Sequence, residues 1–186
     1  MKIIGGAKMN EMRAILALDP SLTAFGWAVV ADGKPVQVGC IKTLPSNMKR
    51  GIRTGDDRCR RITEICDKLW YLKSYYEPEL IVSEQPHGSQ SAISAVMIGI
   101  CLGMIQTFAD LSALPLEWYL EGECKKSLLG KRSATKQEII DAILTKYPSL
   151  ELPEAKYQQE AICDAMAVYH HASRVSNIIK FLEVKK

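Results

Sequence analysis

Short apolar runs separated by turn residues dominate the first quarter of the chain. Residues 14–18 (AILAL) form a continuous apolar run, which is typical of a strand buried on both faces. The run ends at Asp19-Pro20, and a second apolar run extends from Phe25 to Val30. Asp32-Gly33 is a hairpin-turn signal before a third run, Val36 to Ile41. The pattern therefore predicts three strands joined by tight connections, with antiparallel neighbours.

Helical periods follow, with two more strand-like runs between them. Apolar side chains at 62, 65, 69 and 72 predict a helix that Asp56 or Asp57 caps and that ends before Pro78. Residues 80–82 and 116–120 are strand-like and flank a second helix that ends at about residue 110. Further helices are predicted from about 133 or 135 to 146 and from about 155 to 175. The order βββαβαβαα predicts an α/β fold, a mixed five-stranded sheet with helices on both faces.

The length of 186 residues and an ordinary composition favour one globular domain over a disordered chain or a coiled coil. We expect a leader over 1–13, the domain over 14–175 and a tail over 176–186.

Six cysteines without C-x-x-C spacing indicate reduced thiols. The N-terminus does not match a secretory signal, so we expect a cytoplasmic protein, of a cell, a virus-infected host or an organelle matrix. The apolar run 93–105 is too short and too Gly/Ser-interrupted to cross a bilayer, so no membrane partner is expected.

The net charge of +3 is small, but the basic residues are clustered. One cluster lies between 49 and 61. The other contains no acid and consists of Lys125, Lys126, Lys131, Arg132 and Lys136. Such clusters fit a polyanionic partner, although solvated surface also explains most basic runs.

Three acids lie where structure alone would not place them. Asp19 and Glu84 each follow a buried strand, and the carboxyl ends of neighbouring strands form the ligand-binding crevice of an open α/β sheet. Asp164 interrupts an otherwise small and apolar stretch, where a charge is costly to bury unless it is paired or bound to metal. Glu160 lies on the same helix face, four residues earlier. Each acid alone is also explained as a turn, cap or helix-start residue.

Converging carboxylates repel one another, and hard divalent cations such as Mg²⁺ relieve that repulsion. Two such ions about 4 Å apart promote phosphodiester hydrolysis. Together with the basic clusters, the acids favour a metal-dependent nuclease. A sugar-kinase or actin-like ATPase also opens with a strand that ends in Asp, but this chain is short for that two-lobed fold.

Five segments in register resemble the RuvC family of Holliday-junction resolvases, within the RNase H-like superfamily. They are residues 15–21 with Gly26, then 81–85, the glycines at 99 and 103, then Gly130, Ala134 and Lys136, and finally 163–167. The resemblance covers about residues 14–173 and implies an RNase H-like fold. It also implies a homodimer, and Gly99-x-x-x-Gly103 lies in the helix that the family places near its dimer interface, although such a motif more often packs within one chain.

The resemblance implies roles for particular residues. Asp19, Glu84 and Asp164 match three of four metal-binding carboxylates. The fourth position is Ala161 here, so Glu160 is expected to substitute, with two Mg²⁺ ions per site and Mn²⁺ as a possible replacement. Lys136 is expected to approach the scissile phosphate. The DNA-contacting residues are expected to be His87, which stacks on a base or is simply exposed, Lys125, Lys126, Lys131, Arg132 and Lys136.

The implied activity is a crossover junction endodeoxyribonuclease of DNA recombination and repair. It nicks four-way DNA junctions in paired, symmetric fashion and leaves 5′-phosphate and 3′-hydroxyl ends. Branch-migration machinery is a further implied partner. The alternatives are a related RNase H-like nuclease that acts on branched DNA or RNA, and a catalytically silent junction-binding protein, which the alanine at 161 favours.

Overall fold

The computed structural model describes residues 13–46, 51–89 and 91–184, which form a single five-stranded sheet of order β3-β2-β1-β4-β5 covered by helices. The strands are β1 (Ala14–Asp19), β2 (Ala24–Ala31), β3 (Lys34–Lys42), β4 (Leu80–Gln85) and β5 (Leu116–Leu120). The first three pair antiparallel, whereas β4 is parallel to β1 and β5 is parallel to β4. The predicted mixed sheet is confirmed, and the carboxyl ends of three parallel strands meet at one end of it. Nearly all of the predicted leader lies outside the described residues.

Helices cover both faces of the sheet, as predicted. Because side chains alternate along a strand, β1 is buried on each side. Leu16 and Leu18 pack with α1 (Thr54–Tyr76) and α2 (Ala92–Ser112). Ile15 and Ala17 pack on the other face with the helices of the second half of the chain. These are α3 (Glu121–Leu129), α4 (Lys136–Lys146), α5 (Lys156–Val175) and α6 (Asn177–Val184).

The sequence predicts the cap of one helix correctly and the cap of another wrongly. The prediction that Asp56 or Asp57 caps α1 is wrong, since Arg53 is the N-cap and both aspartates lie in the first turn. Asp57 instead accepts hydrogen bonds from the backbone nitrogen (3.0 Å) and the hydroxyl (2.5 Å) of Ser46, which anchors the preceding segment. Thr135 does cap α4, in a reciprocal capping box with Glu138.

The stretch between β5 and α4 is more helical than the sequence suggests. The first half of the basic segment 125–132 belongs to α3, which the apolar pattern does not predict. Two acids in its first turn favour the helix N-terminus, and Gly130, with φ of 77°, ends it. At the other end of the chain, Ile179 of α6 is 1% exposed and belongs to the core.

Candidate active site

The carboxyl ends of β1 and β4 bring two acids side by side. Leu18 pairs with Ser83 in the parallel register, so Asp19 and Glu84 occupy the next position on each strand. Side chains alternate along a strand, and Ala17 and Val82 belong to the core on the face that α5 covers. Asp19 and Glu84 therefore lie on the face of the sheet that carries α5.

Helix α5 supplies the third acid because it lies directly against β2. A Cβ atom on Gly26, the β2 partner of Asp19, would stand only 2.1 Å from the carbonyl oxygen of Ala161. Only glycine permits so close an approach of helix and strand. One turn further along α5, Asp164 is 7% exposed. The acids at 19, 84 and 164 are thereby gathered at one end of the sheet, as the sequence predicts.

Burial raises the pKa values of all three acids, and neighbouring acids raise them further. Burial raises the pKa of Asp19 well above its ordinary value, and the charges of Asp164 and Glu84 raise it further. The pKa of Glu84 rises to about 7, through burial first and then through Asp164 and Glu121. Burial also raises the pKa of Asp164, although Lys136 opposes the shift. The three carboxyl groups thus share one poorly solvated, negatively charged environment.

The ammonium group of Lys136 offsets part of this charge. Lys136, in the first turn of α4, donates a hydrogen bond to Oδ2 of Asp164, and its charge lowers the pKa values of Asp19 and Glu84. In the described ranges, no three acid, thiol or imidazole groups lie close enough to hold an ion as they stand. In this structure Asp164 is therefore paired with Lys136, and among the described residues the acids are not drawn together as a ligand set.

The donor set fits hard divalent cations. It contains only carboxylate oxygens, which Mg²⁺ and Mn²⁺ prefer, and their mutual repulsion is the interaction that a divalent ion relieves. One lysine offsets only part of the charge of three buried acids. The residues that would hold the ions are therefore those at 19, 84 and 164.

The expected fourth ligand is not settled by the geometry. Ala161 is 5% exposed and offers no side-chain ligand. Glu160 is half-buried at the start of the buried part of α5. The main charges that act on Asp19, Glu84 and Asp164 are their own, those of Lys136 and Lys125, and that of Glu121. The role of Glu160 stays a prediction.

Glu121 is a residue that the sequence analysis missed. It directly follows β5, and its charge raises the pKa values of Asp19, Glu84 and Asp164. It also accepts a hydrogen bond from Lys125. The signal was present in the sequence, since all three parallel strands end at or next to an acid. It was overlooked because the helical continuation of β5 into α3 was not predicted.

The predicted DNA-contacting residues are divided between the site and its surroundings. Lys125 has a side chain only 15% exposed, and its charge lowers the pKa values of Glu84 and Asp164, so it faces the acids. Lys126 and Arg132 are exposed, and Lys131 pairs with Glu138. His87 is exposed after β4, and its charge lowers the pKa of Glu121. Lys125, Lys126, Lys131 and Arg132 therefore form a basic rim beside the acids, on the side of α3 and α4.

The outer face of α2 is apolar and open. Ile93 and Val96 are 69% and 49% exposed, and nothing lies within 4 Å of a Cβ built on Gly99 or Gly103. Within the described residues this glycine motif therefore does not pack against another part of the chain. Within the described residues α2 is also the one helix that is long and apolar enough to cross a membrane by length and composition. The helix is longer than the apolar run 93–105, and its inner face packs on the sheet through Cys101, Ile105 and Phe108.

Comparison with known proteins gives consistent matches. The family described as crossover junction endodeoxyribonuclease RuvC matches residues 15–170. The protein of that name from Endomicrobium trichonymphae is 28% identical over 180 residues, which are 92% of this chain and 90% of the relative. Its counterpart from Protochlamydia amoebophila is 26% identical over 164 residues, 86% of this chain and 90% of the relative.

The fold has solved relatives. RuvC of T. thermophilus in complex with a Holliday junction substrate superimposes with a TM-score of 0.68 at 20% identity, covering 87% of this chain and 96% of that chain. This likeness confirms the RNase H-like fold. The family match spans most of the chain and includes the three acids that the fold brings together. This protein therefore belongs to the RuvC family of crossover junction endodeoxyribonucleases.

Proposed function

We propose that this protein is a metal-dependent, structure-selective endonuclease that resolves four-way DNA junctions by paired symmetric nicks. The observation that carries the proposal is the convergence of Asp19, Glu84 and Asp164, 145 positions apart at the extremes, beside the Lys136 ammonium. Family membership supports the same activity. Hydrolysis that breaks the bond between phosphorus and the 3′ oxygen leaves 5′-phosphate and 3′-hydroxyl ends.

We assign the metal-holding role to Asp19, Glu84 and Asp164, with Glu160 as the predicted fourth acid, and expect two Mg²⁺ ions that Mn²⁺ can replace. When bound, such ions activate a water molecule and stabilise the leaving oxygen. The protein's contribution is to hold its carboxylates on rigid elements, two strand ends and one helix. Burial keeps these groups poorly hydrated, so their attraction for a divalent ion is weakly screened.

We propose one role for Lys136 without metal and another with metal bound. Without metal its ammonium compensates Asp164, as the structure shows. When divalent ions neutralise the acids, the lysine no longer has to, and its half-exposed side chain is free to contact the scissile phosphate. The exposed Lys126, Lys131 and Arg132 neutralise neighbouring phosphates, which gives salt-dependent affinity without reading sequence. His87 stacks on a base at the opened branch point.

We further propose that α2 forms the interface of a homodimer. An exposed apolar face on a globular domain marks an interaction surface, and its two outward glycines permit close helix approach. A two-fold dimer presents two identical sites, which is what paired nicks in a symmetric junction need.

The free thiols, three of them buried, agree with a reducing compartment such as the cytoplasm.

Cleavage of defined substrates tests the proposal. A synthetic mobile four-way junction, a flap and a structured RNA of equal length are incubated with Mg²⁺, with and without a chelator, and the product ends are mapped. We expect symmetric nicks in the junction only, and none with the chelator. Preferred cutting of the flap or the RNA supports the related RNase H-like nuclease, and binding without any cutting supports a silent junction-binding protein.

A further inference from the structure

Arg61 is a buried cation without an acidic partner. It lies on α1 and is 7% exposed, and none of the ion pairs in the described residues includes it. Removing a guanidinium from water costs free energy unless its donors are satisfied. The hydrogen-bond partners of Arg61 therefore show what the buried arginine holds in place.

The guanidinium donates its hydrogen bonds to two short segments. Nε donates to Oγ1 of Thr43 (2.8 Å), and Nη2 donates to the carbonyl oxygen of Leu22 (3.2 Å) and to Oγ1 of Thr23 (3.0 Å). Thr43 is itself fully buried. Its hydroxyl donates to the Leu22 carbonyl, and its backbone nitrogen donates to the carbonyl of Thr23 (3.1 Å). Arg61 and Thr43 thus clamp the turn at 20–23 to the end of β3.

This turn is the segment that follows Asp19. Arg61 reaches it from the sheet face that carries α1, whereas α5 approaches from the other face through the contact of Ala161 with Gly26. Asp19 lies between these two constraints, at the last position of β1. Strand pairing, the α5 contact and the hydrogen bonds that the Ser21 hydroxyl accepts from the Thr23 and Ala24 nitrogens also fix the end of β1, and the clamp ties this segment to α1.

We propose that Arg61 is a positioning residue for Asp19. Its hydrogen bonds fix the β1–β2 turn and hold the Asp19 carboxylate where it closes on a divalent ion with Glu84 and Asp164. The proposal rests on the function proposed above. A lysine cannot replace the arginine fully, because one ammonium lacks the planar fork that reaches three acceptors on two segments.

Metal affinity measured without DNA separates positioning from stability. Mn²⁺ is titrated into the metal-free full-length protein and followed by electron paramagnetic resonance, with the melting temperature recorded for each variant. For Arg61→Met we expect Mn²⁺ binding to weaken at least about tenfold, the lower end of the cost of removing a group that orients a metal ligand. Arg61→Lys and Thr43→Val are expected to weaken it by less, and Thr43→Ser, which keeps the hydroxyl, to bind as the wild type does.

Arg60→Met is the matched control. Arg60 is the adjacent residue and also hydrogen-bonds the segment after β3, through the carbonyl of Leu44, but it has no contact with the turn at 20–23. We expect its Mn²⁺ affinity to equal that of the wild type. Junction binding in chelator should stay within about twofold for every Arg61 and Thr43 variant, since the clamp is not part of the basic rim.

The results of this experiment separate a failure of the Arg61 proposal from a failure of the proposed function. Unchanged Mn²⁺ affinity in folded Arg61→Met contradicts the positioning role, and so does an equal loss in Arg60→Met. If Arg61→Met does not fold, Arg61→Lys and Thr43→Val decide: unchanged affinity in both overturns the proposal, and weakened affinity with rescue by Thr43→Ser supports it. A wild-type protein that binds Mn²⁺ but cuts no junction overturns the proposed function and leaves the Arg61 result standing.

Discussion

Helices α5 and α2 depart from the usual distribution of side chains in opposite ways. In α5 every residue from Ala161 to His170 is buried, and one of them is the carboxylate of Asp164. Helix α2 is the more apolar of the two, yet Ile93 and Val96 are exposed. Buried charges and exposed apolar faces both cost free energy in an isolated domain. We propose that each departure is compensated from outside the chain, by a cation for α5 and by a second copy of the protein for α2.

The largest effect is expected at the acid site itself. Asp19→Asn keeps the size of the side chain and removes one metal-binding charge, so cleavage should fall at least about 10³-fold, equivalent to several kcal/mol of lost transition-state stabilisation. Junction binding in chelator should persist. Single-turnover cleavage and a binding titration measure the two effects. Asp141→Asn, an exposed position on α4, is the control and should cut normally.

A charge on the apolar face of α2 tests the other half of the comparison. Val96→Glu should weaken the dimer by about 100-fold or more, because a carboxylate then has to be desolvated at the interface. Sedimentation at several concentrations gives the dissociation constant, and junction products should change from paired nicks to single ones. Leu44→Glu makes the same kind of change at an exposed leucine outside α2. A monomeric wild type, or a Val96→Glu variant that remains dimeric, contradicts the assignment.

The pH dependence of stability is a smaller effect. The pKa of Glu84 is about 7 in the folded protein and near its ordinary value when unfolded, so the folded state binds the extra proton between these limits. Metal-free protein should therefore lose stability as the pH rises from about 4.5 to about 7. Added Mg²⁺ should restore stability above pH 7 and have little effect near pH 5, because only the ionised acids bind it.

Thermal melts at a series of pH values, with and without Mg²⁺, measure this dependence. Glu84→Gln cannot titrate and should make the metal-free profile less steep between these pH limits, while Asp19 and Asp164 still titrate. A metal-free profile that rises over the same pH range contradicts the repulsion that we describe among the acids.

The smallest effect concerns the basic rim. Lys126→Ala should reduce the slope of log K for junction binding against log salt by about 0.9 and lower affinity equally for all junction sequences. Binding titrations at several salt concentrations check this. Lys146→Ala, at the far end of α4, should leave the slope unchanged.

Much of the fold and the three acids could be predicted because local patterns encode them. The run 116–120 is strand-like on its own, and β5 has those bounds. Asp19 and Glu84 close buried strands, and the parallel sheet aligns their ends. The ion pair of Lys136 with Asp164 could not be predicted, because it depends on how α4 packs against α5. The contribution of Glu121 was missed for a related reason, since α3 has too weak an apolar period to be seen in the sequence.

Metal binding by the acid site is the central claim, and a direct count of bound ions tests it. Equilibrium dialysis of the wild type and of Asp164→Asn against Mn²⁺ at pH 8, without DNA, gives the number of ions held per chain. We expect saturable binding of up to two ions by the wild type and a loss of at least one in the variant. Equal binding by the two proteins would contradict the account, because the buried carboxylate of α5 would then have no part in holding a cation.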